Sequence, residues 1–220
     1  MNSIHHFFET FITSFDLFIV GMYWTLAVTV CAFLIALVLG MFFGFLKITN
    51  IKILVWISDF YVWIVRGTPL IVQIFVLFYG LTKIILIPTF WAVTIGLAVH
   101  VGGYLSEIIR GSVSSIDKGQ QEAGRSLGMT ASLTMRRIIL PQAFRRSIPS
   151  LGNQFIITLK DSSLASFIGM QELFGVANLE GSTNFDFMTY LLVVAVYYLV
   201  IVYVLTVFVK ILENKLSVSD

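Results

Sequence analysis

The sequence predicts an all-α integral membrane protein with about five transmembrane helices. Composition is the first reason. The 220-residue chain is 58% hydrophobic and only 12% charged, against about 25% charged in a soluble domain. Mean hydropathy is the second: at +0.93, most of the surface must be solvated by lipid. The third is run length. Several apolar stretches approach or exceed the roughly 20 residues a helix needs to cross the hydrocarbon, and helices satisfy their own backbone there.

The elements follow in order. Residues 1–16 are expected to be an extracytoplasmic N-terminal segment, with His5 and His6 in a frayed end. They lack the basic region of a cleavable signal, so the run after them is expected to stay as an anchor. That first run, 17–46, has no ionisable side chain except Tyr23 and Cys31. Gly40-x-x-x-Gly44 near its end would let another helix approach closely. A second run, 53–81, is interrupted by Asp59, Arg66 and Gly67-Thr68-Pro69. A third covers 84–106, with Pro88 near its start. A fourth, 148–159, is short and carries Asn153 and Gln154, so it needs shielding by other helices. The fifth, 187–212, is aliphatic and aromatic throughout, and 217–220 form a tail.

Charge sets the orientation. Lys47, Lys52, Arg110, Lys118, Arg125, Arg136, Arg137, Arg145, Arg146, Lys210 and Lys215 fall on one side of five alternating spans. The other side keeps only Lys83 and Lys160 among acidic residues. The basic side is cytoplasmic by the positive-inside rule. The N-terminus is then outside, and the C-terminal tail and the polar stretch 107–146 are inside. The same rule accounts for the basic residues without nucleic acid. Cys31 stands alone, so no disulfide forms within the chain, and no histidine–carboxylate or paired-cysteine spacing points to a metal site.

The polar stretch 107–146 is unusually rich for a loop between two spans. Gly119-Gln-Gln-Glu-Ala-Gly124-Arg125-Ser126 has the spacing of a phosphate-binding loop, with arginine in place of lysine. Such a loop needs a strand before it and a nucleotide fold around it, and neither is present. The residues suit a short helix instead. Asp117 or Ser115 would cap it, and Gly128 would end it or permit close contact. A second helix is expected over 133–140, stopping at Pro141. Together they form a compact knob suited to meeting a soluble partner.

At these residues the chain resembles a known family. Glu122-Ala123-Gly124 with Gly128, followed by Ile139-Leu140-Pro141, is similar to the EAA loop of ABC importer permeases. Arg66-Gly67-Thr68-Pro69-Leu70 with Gln73, and Lys160-Asp161-Ser162-Ser163-Leu164, resemble motifs of the polar amino acid branch, the histidine/glutamine/arginine/cystine-type permeases. Gly124 stands where the name motif has its second alanine. The resemblance covers nearly the whole chain and implies a type I permease domain over 17–216. It implies that Gln121, Glu122, Ala123, Gly124 and Gly128 belong to a coupling helix seated on a cytoplasmic ATPase. It further implies two such ATPase subunits, a second permease chain, identical or paralogous, and an extracytoplasmic substrate-binding protein in a prokaryotic cell membrane. The chain would carry no catalytic residue and no cofactor, with ATP bound by the partner subunit.

Candidate substrate residues lie in two clusters. Arg66 precedes a helix-breaking Gly-Thr-Pro at membrane depth, where an arginine costs about 2.5–3.5 kcal/mol, and broken helices expose backbone to ligands. It would meet a substrate carboxylate, or else pair internally with Asp59 or Glu107. Thr68 and Gln73 accompany it through the motif. Asn153, Gln154, Lys160, Asp161 and Ser162 form the second cluster. A zwitterionic amino acid needs one cationic and one anionic partner, and Lys160 and Asp161 offer both or neutralise each other. The alternatives are a permease for another small polar solute, or a membrane scaffold that binds a cytoplasmic partner through the knob.

Overall fold

The computed structural model describes residues 3–49 and 51–216, and the expected tail 217–220 lies outside them. Among the described residues every regular element is helical. Three helices are long and apolar enough to cross a membrane, and a bent pair forms a fourth crossing if taken as one span.

The short α1 (Ser3–Thr13) is folded and docked, where the sequence suggested a frayed end. Aromatic packing and a polar contact explain it. Phe11 and Phe18 both stack on Tyr197, with ring centroids 5.4 and 5.0 Å away. His6 Nε2 lies 2.7 Å from Asp186 Oδ2. That contact, more than any other, holds the Asp186 carboxyl below the usual carboxylate range.

α2 (Phe15–Ile48) has 34 residues. At 1.5 Å per residue it is roughly 50 Å long, so it tilts within or overhangs the hydrocarbon. Its main partner is α5 (Thr89–Ser114), the most enclosed long helix. Glycines set this contact. A Cβ on Gly40 would stand 2.5 Å from Leu105 Cβ, and one on Gly44 would stand 3.2 Å from Ile109 Cβ. From the other side, a Cβ on Gly102 would meet Leu39 Cβ at 2.9 Å. Two long helices thus approach to backbone contact, the packing that dispersion favours where lipid removes the hydrophobic drive.

Between them runs the broken span, α3 (Lys52–Gly67) and α4 (Leu70–Phe75), bent by 99° and continued by a π-helical turn, Val76–Gly80. Proline enforces the break. It excludes the helical region for the residue before it, and Thr68 is extended at φ −121°, ψ 142°.

After α5 come α6 (Lys118–Ser126), the single turn α7 (Ala131–Thr134), a π-helical turn Met135–Ile139, and α8 (Leu140–Asp161). The expected stop at Pro141 does not occur. Proline in the first turn of a helix loses no bond the helix would otherwise make, and the π turn delivers the chain to that position. The fourth run is therefore longer than its apolar core of 148–159. Gly152 lets α8 press on α10 (Phe187–Leu216), since a Cβ there would lie 2.6 Å from the Val209 methyls. A 3₁₀ turn (Ser162–Ile168) and α9 (Leu173–Thr183) join α8 to α10.

Gly40→Leu is expected to destabilise the protein in detergent by about 1–3 kcal/mol, the range for overpacking a tight contact. Gly111→Ala, at a glycine with open space around it, is expected to leave the thermal midpoint unchanged or slightly raised. Thermal unfolding of both variants against wild type is the measurement.

Candidate functional site

The break in the second crossing needs partners for the carbonyls it frees. In a continuous helix the Val65 carbonyl would accept from the N–H of residue 69, but Pro69 has none. Gln73 Nε2 donates to that carbonyl at 2.9 Å. Thr68 Oγ1 donates to Ile64 O at 2.9 Å, and Gln73 Nε2 also meets Thr68 Oγ1 at 2.8 Å. Inside a bilayer such replacement is obligatory. Thr68 and Gln73 are thus engaged in repairing the break, a role the sequence motif alone did not reveal.

Gln73 Oε1 remains open and lies 3.3 Å from His100 Nδ1 on α5. One turn on, Tyr104 sits beneath Arg66, whose guanidinium carbon is 5.1 Å from the ring centroid. Neither internal partner offered for Arg66 is used. Asp59 lies 2.8 Å from Lys47 Nζ. Glu107 bonds Lys47 and also takes Arg110 Nε at 3.0 Å. Arg66 therefore has no carboxylate partner among the described residues and is exposed. Lys47, with a side chain only 7% exposed, ties α2 to α3 and α5. That cluster is not readable from the sequence, because its members are separated by as many as 60 positions.

The second polar cluster divides by exposure. Asn153 and Lys160 are exposed on α8, and Asp161 is half-buried at its end. Gln154 and Ser162 are buried, and Ser162 Oγ donates to Leu159 O at 2.7 Å. Open to a ligand are therefore one amide, one cation and one carboxylate. Just beyond the 3₁₀ turn lies a cavity of about 400 Å³ with mixed polar and apolar walls, lined by Ser166, Gln171, Asn178 and Ser182 among others.

Glu172 was not singled out in the sequence. It is fully buried and caps α9, accepting from Phe174 N at 3.0 Å and Gly175 N at 2.8 Å. Tyr198 Oη on α10 donates to it at 3.2 Å. Thr25 on α2 accepts from Leu173 N at 3.0 Å. Glutamate is not among the residues preferred at an N-cap, and its burial here depends on two distant helices.

The knob is built around α6. Asp117 caps it, accepting from Gly119 N at 2.6 Å. Gly128, at φ +82°, turns the chain out of the helix in a conformation that favours glycine. All of Gly119 to Ser126 lies inside α6, so no phosphate-wrapping loop exists there. Gln121, Glu122 and Ala123 are exposed, and Leu127 is 83% exposed. Gly124 alone is buried: a Cβ there would stand 2.8 Å from Thr134 Cγ2 and 3.1 Å from Ile138 Cδ1. The glycine in place of the family's alanine thus seats α6 on the segment that leads into α8. The knob presents an apolar tip at Leu127 and a polar face of mixed charge, fixed to a long helix behind it.

The chain is 39% identical over 199 residues to the L-cystine transport system permease protein TcyB of Bacillus subtilis (strain 168), covering 90% of this chain and 85% of that protein. It is 34% identical over 202 residues to the arginine transport system permease protein ArtQ of the same organism, covering 91% and 92%. A chain of a solved amino acid ABC transporter with histidines superposes with a TM-score of 0.90 at 34% identity, covering 94% of this chain and 98% of that one. The MetNI methionine ABC transporter shares the fold, with a TM-score of 0.82 at 20% identity. Residues 36–218 match the family model for the inner membrane component of binding-protein-dependent transport systems; the chain belongs to that family.

Proposed function

We propose that this chain is the permease subunit of an ATP-binding-cassette importer that carries an amino acid into a prokaryotic cytoplasm across the cell membrane. The observation that carries the reading is the pairing of an exposed knob at Gln121 to Gly128 with an Arg66 at a helix break that has no carboxylate partner among the described residues. The amino acid assignment draws on the cystine and arginine permeases among the relatives. In this reading the chain makes five crossings: α2, the α3–α4 pair, α5, α8 and α10. α8 is too polar to pass as a free-standing span but is shielded by α5 and α10. The N-terminus faces outward and the knob inward.

Mechanically, α6 is seated in a cytoplasmic ATPase. Two such ATPases bind ATP between them, and this chain contributes no catalytic group and needs no cofactor. When the ATPases close, the force enters through Leu127 and Glu122 and passes across the Gly124 contact to α8. α8 carries Asn153, Lys160 and Asp161, so the motion reaches the polar cluster directly. A second permease chain completes the pathway, and an extracytoplasmic binding protein delivers the substrate. Arg66 meets the substrate carboxylate, with Tyr104 holding the guanidinium in place. Thr68 and Gln73 keep the break rigid, while Gln154 and Ser162 shape the wall behind it.

Glu122→Lys is expected to abolish uptake while the chain still inserts and the ATPase still hydrolyses ATP. Gly128→Val forces a β-branched residue into positive φ, a strain of about 1–3 kcal/mol, and is expected to do the same. Uptake and ATPase assays on proteoliposomes of the full complex measure both. Wild-type coupled transport in both variants would sink the docking assignment.

Arg66→Ala and Asp161→Ala each remove a charged hydrogen-bonding group. Each is expected to weaken apparent substrate affinity by about 1.5–3 kcal/mol, roughly 10- to 100-fold, with ATPase assembly unchanged. Unaltered KM and kcat for uptake would remove the residue from the pathway.

A further inference from the structure

An apolar cavity of about 190 Å³ lies outside both polar clusters, between the ends of α2 and α5 and the start of α8. Leu37 and Phe45 of α2, Ile109 and Val113 of α5, and Leu140 and Phe144 of α8 line it. Its rim is open, since Met41 and Phe45 are 44% and Phe144 is 65% exposed. A cavity of this lining stays dry and takes an apolar guest; a 150 Å³ one holds a benzene-sized molecule. This one admits roughly six to eight carbons of a hydrocarbon chain on that scale.

The charges beside it are selective. Arg110 bonds Glu107, Arg125 donates to Met129 O, and Arg146 donates to Ser115 O at 2.6 Å. Arg136, Arg137 and Arg145 are exposed and have no hydrogen-bond or ion-pair partner among the described residues. Arg136 and Arg137 precede the lining residue Leu140 by four and three positions, in the π-helical turn that leads into α8, so they stand within one turn of the cavity. In the orientation proposed above, that turn lies at the cytoplasmic headgroup layer, where basic side chains reach up to anionic phosphate.

We propose that this is a binding site for one anionic phospholipid of the inner leaflet. An acyl chain fills the cavity, and Arg136 and Arg137 hold the headgroup phosphate. The occupied site wedges α8 against α2 and α5 behind the knob. The inference rests on the inward-facing orientation of residues 107–146 but not on which solute is carried.

The test uses the permease with its ATPase partner in nanodiscs of mixed phosphatidylglycerol and phosphatidylcholine, with retained lipid identified by mass spectrometry. Wild type is expected to retain phosphatidylglycerol in excess over its share of the mixture. R136Q/R137Q is expected to lower that retention roughly fivefold for each arginine removed. Ala143→Phe, which fills the cavity and leaves both arginines, is expected to lower it as well. A wild-type ratio equal to the bulk mixture, or equal retention in R136Q/R137Q, would overturn the proposal. So would disulfide trapping of Phe144→Cys between two permease chains, since that seats a second copy in the cavity. Uptake by the same preparations reports the transport reading separately.

Discussion

A backbone carbonyl inside a bilayer has no water to turn to, and this constraint governs the centre of the molecule. Pro69 withholds the N–H that Val65 requires, and the Gln73 amide takes its place. That substitution permits a 99° bend at membrane depth without stranding a polar group. Once the bend is affordable, Arg66 can sit at its corner on the face of Tyr104, free of any carboxylate among the described residues. The neighbouring α5 must then be close and firm, because it supplies both Tyr104 and His100. Its firmness comes from glycine contacts with α2 at Gly40, Gly44 and Gly102.

The division of labour among the polar residues follows. Motif residues that look alike in the sequence act differently in space. Thr68 and Gln73 serve the backbone, whereas Arg66 beside them faces outward. Just past α8, Ser162 bonds back to Leu159 while Lys160 and Asp161, two and one positions away, remain accessible. A motif therefore marks a region under constraint without saying which member touches a ligand and which holds the others in place.

Much of this was legible in the sequence, for physical reasons. The long apolar runs became α2, α5 and α10 because hydrophobic length is a local property. The Gly-Thr-Pro break and the Asp117 cap were readable because proline and aspartate act within a few residues. Three things were not. The docking of α1 depends on Tyr197, nearly the whole chain away. The Lys47 bridge to Asp59 and Glu107 depends on helices meeting, and any charge pairing of these residues was equally consistent with the sequence. α8 is longer than its apolar run 148–159, because the π turn before Pro141 makes that proline a helix start and not a stop. In each case the missing information was adjacency in space.

Glu172 has a bearing on how the molecule is made. Its four donors come from its own turn, from Thr25 on α2 and from Tyr198 on α10. A carboxylate enclosed this completely is stable only with its donors present. Thr25 leaves the ribosome early and Tyr198 almost last. Until the final helix has joined the bundle, Glu172 is an under-coordinated acid. Biogenesis therefore has a natural checkpoint: the closing helix supplies the hydrogen-bond donor that completes the shell begun by Thr25.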